Sequence, residues 1–462
     1  MNIIDKKKCI SLITGVAAAA LVYNLDLALP PDGKRCLALS LLAVIWWATK
    51  ALDTGITAIA LLLGYVLFLD SEAVPAATIF NLWTTPTIYL VISGFLISEA
   101  ITQSGLGERI AYHFIKLFVK SYESVIIAGY VLGFLLSFMI PHPWPRSFLL
   151  LSVMGHVVKT SGLSEKNARQ IGMAIFIGSI PTSMILITGD STLNSAVMTF
   201  SGQTLSWIQW LMYMGIPGLA ASAATCFAQL KLFHRPDEFK IDDEVVNENL
   251  RRLGKMKYQE GATILVMAGA IIMWMTDSLH GIASGWIAVG AVILLAMPFV
   301  GVIKRECWNT VNMGTLLFLC AALAIGKVGD VTGMNAWIAE SLMPSTVPSN
   351  LYLFALIACL ICMGIHMVLG STLAVLGIAA PAIVTFGTIA GIPPLVSAMI
   401  AYTAVCLHWI LPFHHMNILV GIGESGGGYT EKEVVKLGVV QTFIVIGICM
   451  LEMLWWTVLG IV

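Results

Sequence analysis

The sequence predicts an all-α polytopic membrane protein, and three observations carry that prediction. Of its 462 residues, 58% are hydrophobic and only 11% charged, with a mean hydropathy of +0.89; a soluble domain carries about 25% charged residues. Apolar runs near the ~20 residues needed to cross a bilayer recur along the whole chain. The basic residues between those runs gather on one side of any plausible topology.

The first run, "CISLITGVAAAALVY", follows Lys6, Lys7 and Lys8. It has no small-x-small cleavage site before the polar "NLDLALPPDGKR", so it reads as a retained helix rather than a signal peptide. Spans are expected at 9–28, 36–50, 54–70, 80–104, 168–200, 204–230, 260–277, 282–301, 310–330, 393–422 and 435–461. Two further apolar segments, 122–160 and 349–388, are too long for one crossing and are interrupted in the middle. Each reads as a re-entrant helical hairpin. The expectation is therefore eleven transmembrane helices and two hairpins. They divide into an N-terminal half (1–230), a cytoplasmic connector (231–258) and a C-terminal half (259–462).

With the N-terminus inside, 21 of the 25 basic residues fall on the inner face. Only Lys34, Arg35 and Lys327 lie toward the outside, and Arg146 is stranded within the first hairpin. The expected location is a bacterial inner membrane, with the N-terminus cytoplasmic and the C-terminus outside. The segment 231–258 holds seven basic and six acidic residues, which suits a solvated connector.

Other classes find little support. A net charge of −1 without a basic tract gives no reason to expect nucleic acid as a partner. The nine cysteines are scattered through apolar segments, and the CxxC of Cys359 and Cys362 reads as small core residues. "GESGGGYT" (423–430) lacks the strand-to-helix context of a phosphate loop.

The two halves resemble each other. "TIYLVISGFLISEAITQSGLGERIA" (87–111) aligns without gaps to "TLLFLCAALAIGKVGDVTGMNAWIA" (315–339), matching Thr87 to Thr315, Gly105 to Gly333 and Ile110 to Ile338. On the expected topology, the copies run in opposite directions. An inverted repeat with matching helix interruptions points to a secondary transporter with its substrate near the midplane, because non-helical backbone at that depth must line a cavity or be buried in protein.

The interruptions locate the candidate site: "IPHPWPR" (140–146) and "TGDSTLN" (188–194) in the first half, "VLGSTLA" (368–374) and "PFHHMN" (412–417) in the second. A hairpin tip leaves free N–H groups at the start of its second arm, a natural anion site. Arg146 adds a permanent charge and His142 a titratable one. A buried charge needs a partner, and Asp190 in the facing break is the natural candidate for Arg146. Ser191, Thr192 and Asn194, with Ser371, Thr372, His414, His415 and Asn417, complete the expected substrate-binding set; Asp190 and His142 are expected to balance charge or couple. Glu99, Lys327 and Asp330 are weaker candidates near span ends, and His366 and His408 read as buried helix residues.

In this order of elements the chain resembles the divalent anion/sodium symporter family. The resemblance covers nearly the whole chain: one extra N-terminal span, then two five-span repeats with a hairpin in each. It implies a homodimer that carries dicarboxylates, citrate or sulfate by moving a transport domain against a scaffold. That family has a Ser-Asn-Thr motif at each hairpin tip. Here Pro141, His142 and Pro143 stand at the first such position, and Ser371, Thr372 and Leu373 at the second. The breaks keep asparagines, Asn194 and Asn417, without the family's Pro-Pro pairs. Losing Ser and Asn oxygens at the first tip weakens the case for sodium, so sodium or protons are the two candidate coupling ions, and no other cofactor is expected.

The expected function is thus secondary transport of small organic anions, with lipid and a second copy as the other partners. Two alternatives remain open: an inorganic anion or cation/proton transporter of the same superfamily, and an intramembrane metal-dependent enzyme built on His142, His408, His414 and His415. The enzyme reading lacks an HExxH motif or a suitably spaced carboxylate base.

Overall fold

A computed structural model describes residues 6–160, 163–233, 243–342, 350–369, 372–423 and 427–462. Among these the chain is all-helical apart from one isolated bridge between Ile422 and Tyr429. The first half contains α1 (Lys6–Asn24), α2 (Pro31–Ala48), α3 (Thr54–Phe68), the single turn α4 (Ala76–Ile79), α5 (Pro86–Ser104), α6 (Leu106–Phe118), α7 (Tyr122–Ser137), α8 (Pro143–Thr160), α9 (Glu165–Ser183), α10 (Ser191–Ser201) and α11 (Trp207–Leu232). α12 (Asp243–Leu253) links it to α13 (Tyr258–Met275), the single turn α14 (Asp277–His280), α15 (Ser284–Ala296), α16 (Met313–Val331), α17 (Met334–Leu342), α18 (Leu351–Val368), α19 (Thr372–Ile389), α20 (Pro394–Cys406), α21 (Met416–Val420) and α22 (Glu431–Val458).

The internal repeat is written in the helix boundaries. Pro86 to Met313 is 227 residues, Leu106 to Met334 is 228, and Tyr122 to Leu351, Pro143 to Thr372 and Glu165 to Pro394 are each 229. Gly105 and Gly333, matched in the sequence, both sit at positive φ (80° and 76°) where one helix turns into the next. That left-handed conformation costs a residue with a Cβ, which explains why both positions are glycine. Contacts between the halves also come in exchanged pairs. α3 packs on α16 while its counterpart α15 packs on α5, and α11 packs directly on its own counterpart α22.

Local chemistry sets the helix ends that matter. Ser121 and Ser124 form a capping box that starts α7. α8 begins on Pro143, whose missing N–H would be unpaired in a first turn anyway. The α9 interior carries Pro181, which cannot donate to the preceding turn, and the helix stops two residues later. Every α9 residue from Gln170 to Ser183 is buried, as is every α20 residue from Leu395 to Cys406, so these two helices form the centre of the molecule. The rim is apolar and exposed: Leu265 of α13 and Leu279 of α14 are 75% and 85% accessible, as expected where lipid is the solvent.

Five of the described helices are at least 18 residues long and apolar enough to cross a membrane, and several shorter apolar helices accompany them. Three boundaries differ from expectation. Residues 231–258 are not simply a solvated connector, because α12 forms within them and packs on α6 and α8 with Val246 buried. α6 forms between the expected membrane segments 80–104 and 122–160, where no helix is expected. Ser191 to Asn194 belong to the first turn of α10 rather than to the interruption, because Asp190 caps that helix. Arg109 of α6 fastens this layer, forming a two-pronged ion pair with Glu260 of α13 (2.7 and 3.2 Å) and reaching the Gly254 carbonyl at 3.1 Å.

Candidate functional site

One guanidinium ties the tip of the first helix pair to the first break. Arg146, in the first turn of α8, is completely buried. Its Nη1 donates to the carbonyls of Ile140 at the tip (3.0 Å) and Gly189 in the break (3.1 Å). Its Nη2 donates to the Ser179 carbonyl (3.1 Å) and the Ser183 hydroxyl (2.5 Å). The Ser191 amide adds a bond to the Pro141 carbonyl at 3.0 Å. A planar fork of five donors suits this multi-point contact, and a lysine would not.

Asp190 makes no direct ion pair with Arg146, where the sequence suggests one. Asp190 Oδ1 accepts from the amides of Thr192 (3.1 Å) and Leu193 (3.2 Å), and the ion pairs among the described residues do not include Arg146. Fixed carbonyl and hydroxyl dipoles solvate the guanidinium in place of a carboxylate. The carboxylate instead occupies the positive end of α10, where both capping and the helix dipole favour it.

The two asparagines cross between halves. Asn194 Nδ2 donates to the carbonyls of Ser183 (2.9 Å) and Leu186 (2.8 Å), closing the first break upon itself. Its Oδ1 accepts from the Tyr402 hydroxyl of α20. Asn417 Nδ2 donates to the Phe176 carbonyl of α9 (2.5 Å) and to Ser147 Oγ of α8 (3.3 Å). Both asparagines are fully buried, so their donors are spent on holding the breaks.

The histidines act as backbone acceptors. His142 Nδ1 accepts from the Trp144 amide at 3.3 Å, and its ring stacks on Phe95 of α5 at 5.0 Å. His415 Nδ1 accepts from the Asn417 amide at 3.2 Å. Thr372, opening α19, donates through Oγ1 to the His414 carbonyl at 2.7 Å, joining the second tip to the second break. Ser371 lies outside the described residues.

Where the first tip meets both breaks, a cavity of about 10 Å³ is lined by Pro143, Ser183, Asp190, Leu193, Tyr402 and His415, among others. That is room for about one water. Of the expected residues, Asp190 and His415 line it. The hydroxyls of Ser191 and Thr192, which follow Asp190 in the chain, are buried without a partner. Tyr402 and Ser183 were missed by sequence reasoning, although a tyrosine in the otherwise apolar "MIAYTAV" was a usable signal. Gly94 of α5 was also missed: a Cβ there would stand 3.0 Å from Ser191 Oγ and 3.1 Å from Pro141 Cγ. Among the described residues, no group of three or more His, Cys, Asp or Glu is arranged to hold a metal ion.

A multi-pass helical protein whose buried polar groups gather at paired helix interruptions has the architecture of a membrane transporter. The chain belongs to the divalent anion/sodium symporter family: residues 6–462 match the family described as "Sodium:sulfate symporter transmembrane region". Membership makes it a transporter and not an enzyme. A "Membrane protein" of Cupriavidus necator is 23% identical, covering 94% of this chain and 90% of that one. The "Putative malate transporter YflS" of Bacillus subtilis is 24% identical, covering 73% of each. The "Sodium-dependent dicarboxylate transporter SdcS" of Staphylococcus aureus is 23% identical, covering 68% of this chain and 65% of that one. Among solved structures, the YdaH transporter of Alcanivorax borkumensis shares the fold with a TM-score of 0.57, at 15% identity and covering 83% of this chain and 88% of that one.

Proposed function

We propose that this chain is a secondary active transporter of small dicarboxylate-like anions, working by alternating access. The observation that carries the reading is the cavity between the first tip and the two breaks. It is lined by Asp190, the cap of α10, with Ser183, Tyr402 and His415. Arg146 binds the Gly189 carbonyl one residue before Asp190, and the hydroxyls of Ser191 and Thr192 just after it are buried without a partner. In this state Asp190 occupies the α10 amides, so an incoming carboxylate would compete with an internal one. A cavity of about 10 Å³ is far too small for a dicarboxylate, so the site must widen to load one.

The helix pairs α7–α8 and α18–α19 are read as re-entrant, with residues 1–104 and 259–330 as a scaffold. The pairs, with 168–230 and 393–462, form the body that moves against it in an elevator-type cycle, within a homodimer in a bacterial inner membrane, N-terminus inside and C-terminus outside. Arg146, Asn194 and Asn417 hold the body together, while Asp190, Ser191, Thr192 and His415 meet the substrate. Relatives named as sodium-dependent favour sodium as the coupling ion. The Pro-His-Pro tip, poor in side-chain oxygens, favours a weaker sodium requirement.

Proteoliposome uptake of labelled malate, succinate, citrate and sulfate, each with and without sodium and pH gradients, tests the reading. Saturable uptake of a dicarboxylate that persists in choline or potassium is expected. Uptake restricted to sulfate would move the substrate class to inorganic anions, the alternative that the family description favours. Steep cooperative dependence on sodium would remove the weaker-requirement clause.

A further inference from the structure

Three histidines meet in the second half, two of them close in the chain to Cys406 and His415, which line the cavity. His366 lies near the end of α18, His408 follows α20, and His414 ends the 3-10 turn of the second break. They are 0%, 1% and 0% exposed. Ring centroids are 4.9 Å apart for His366 and His414, 5.6 Å for His366 and His408, and 5.9 Å for His408 and His414.

Hydrogen bonding fixes two of the tautomers. His366 Nε2 lies 3.0 Å from the His414 carbonyl oxygen, so it carries the proton and leaves Nδ1 as a lone pair. His414 Nδ1 accepts from the amides of Ile410 (3.2 Å) and Leu411 (3.4 Å), so its proton is on Nε2. His366 Nδ1, His414 Nε2 and His408 Nδ1 are all buried without a partner. Orphaned buried polar atoms are rare in native proteins, and three in one cluster call for a ligand bound in some state of the molecule.

We propose that His366, His408 and His414 form a proton-binding site that takes up one shared proton from water and releases it again during each transport cycle. Imidazole is the side chain whose ordinary titration spans neutral pH, and His366 Nδ1 offers a free lone pair. With the rings within 6 Å of one another, a second proton is opposed by the first, so the three titrate as a unit. The other titratable groups on the elements packed around the cluster are Tyr352, Cys359 and Cys362 on α18, Tyr402 and Cys406 on α20, and His415 in the break, with Asp190 close to it. α22 brings Cys449 and Glu452, and, at its cytoplasmic start, Glu431, Lys432, Glu433 and Lys436.

The site is wired to the moving parts. The His414 carbonyl accepts from both His366 Nε2 on α18 and Thr372 Oγ1 on α19. A proton on His366 turns its bond to that carbonyl into a charge-assisted one, which is stronger. Loading therefore clamps the second helix pair to the second break, and release loosens it. The role in transport rests on the proposed function; the existence of the site does not.

Two measurements separate these. In lipid nanodiscs, 15N-imidazole NMR assigned with single His→Gln variants should show the three rings titrating together as the pH falls from about 8 to 4. One proton should be taken up, and His366→Gln or His408→Gln should abolish that uptake. Rings that stay neutral across the range, or stoichiometric zinc in the purified protein, would overturn the proposal whether or not any substrate is transported. In proteoliposomes, a gradient of one pH unit should drive about tenfold extra dicarboxylate accumulation per coupled proton. His366→Gln and His408→Gln should lose that accumulation yet retain substrate exchange without a gradient. Accumulation equal to wild type in both variants would overturn it. Wild-type protein that moves no dicarboxylate would defeat the proposed function alone, leaving the NMR titration to decide the site.

Discussion

The Tyr402 hydroxyl on α20 donates to the side-chain oxygen of Asn194, 208 residues earlier, while Asn417 donates back to the Phe176 carbonyl on α9. Each break is fastened to the helix that leads into the other break. Tyr402→Phe leaves the fully buried Asn194 oxygen without a donor, and is expected to cost ~1–3 kcal/mol of stability. Unfolding in detergent of Tyr402→Phe, Asn194→Ala and the double variant should give a coupling energy above ~0.5 kcal/mol, the spread expected of independent sites. Strict additivity would mean that the contact does not contribute.

Arg146→Gln removes the cation and most of the hydrogen bonds joining the tip, α9 and the break. Leaving buried carbonyls short of a donor in this way is expected to cost ~1–3 kcal/mol for each group left unpaired, with uptake lost. Arg146→Lys keeps the charge without the planar fork, so it should fall between wild type and Arg146→Gln in both thermal stability and uptake. An Arg146→Gln protein with wild-type melting and uptake would refute this wiring.

Asp190 combines two roles that substitution can separate. Asn caps a helix about as well as Asp, so Asp190→Asn should keep α10 capped while removing the negative charge that repels an incoming carboxylate. Several-fold tighter dicarboxylate binding is expected, measured by calorimetry. Asp190→Ala should instead lose ~1 kcal/mol of stability as well. Unchanged or weaker binding in Asp190→Asn would argue against charge repulsion between Asp190 and the substrate.

Gly94 sits where α5 faces the first tip, in the contact across which the proposed scaffold and moving body slide. With a Cβ only 3.0 Å from Ser191 Oγ and 3.1 Å from Pro141 Cγ, Gly94→Ala should slow uptake and Gly94→Val should nearly stop it, at an overpacking cost of ~1–3 kcal/mol. Rapid uptake by a well-folded Gly94→Val would show that this contact is not crossed during transport.

The rhythm of apolar helices was legible because lipid-facing and buried residues alike must be apolar along a span, and a residue such as Leu265 satisfies that rule without knowing its neighbours. α6 and α12 escaped because they alternate charged and apolar residues every turn, and the basic Arg109 and Lys116 look like loop until their apolar faces, Tyr112 and Ile115 among them, find a partner. The polar centre was legible as a place but not as a wiring diagram. Sequence shows Arg146 and Asp190 as opposite charges, whereas the carbonyls of Ile140, Ser179 and Gly189 that satisfy the guanidinium have no sequence signature. The start of α10 could have been read from the Asp190-Ser191 capping signal. The meeting of His366 with His408 and His414 could not, because only the packing of α18 against α20 brings them together.

The crossed fastening of the breaks has a consequence for biogenesis. Asn194 is synthesised 208 residues before the tyrosine that satisfies its oxygen. At ~5–20 residues per second, that amounts to a wait of about 10–40 s. Throughout that interval the first half carries an unfinished polar seam into the bilayer, and neither half closes alone. A ribosome stalled between these residues would leave an inserted but unsealed intermediate, a natural target for membrane quality control.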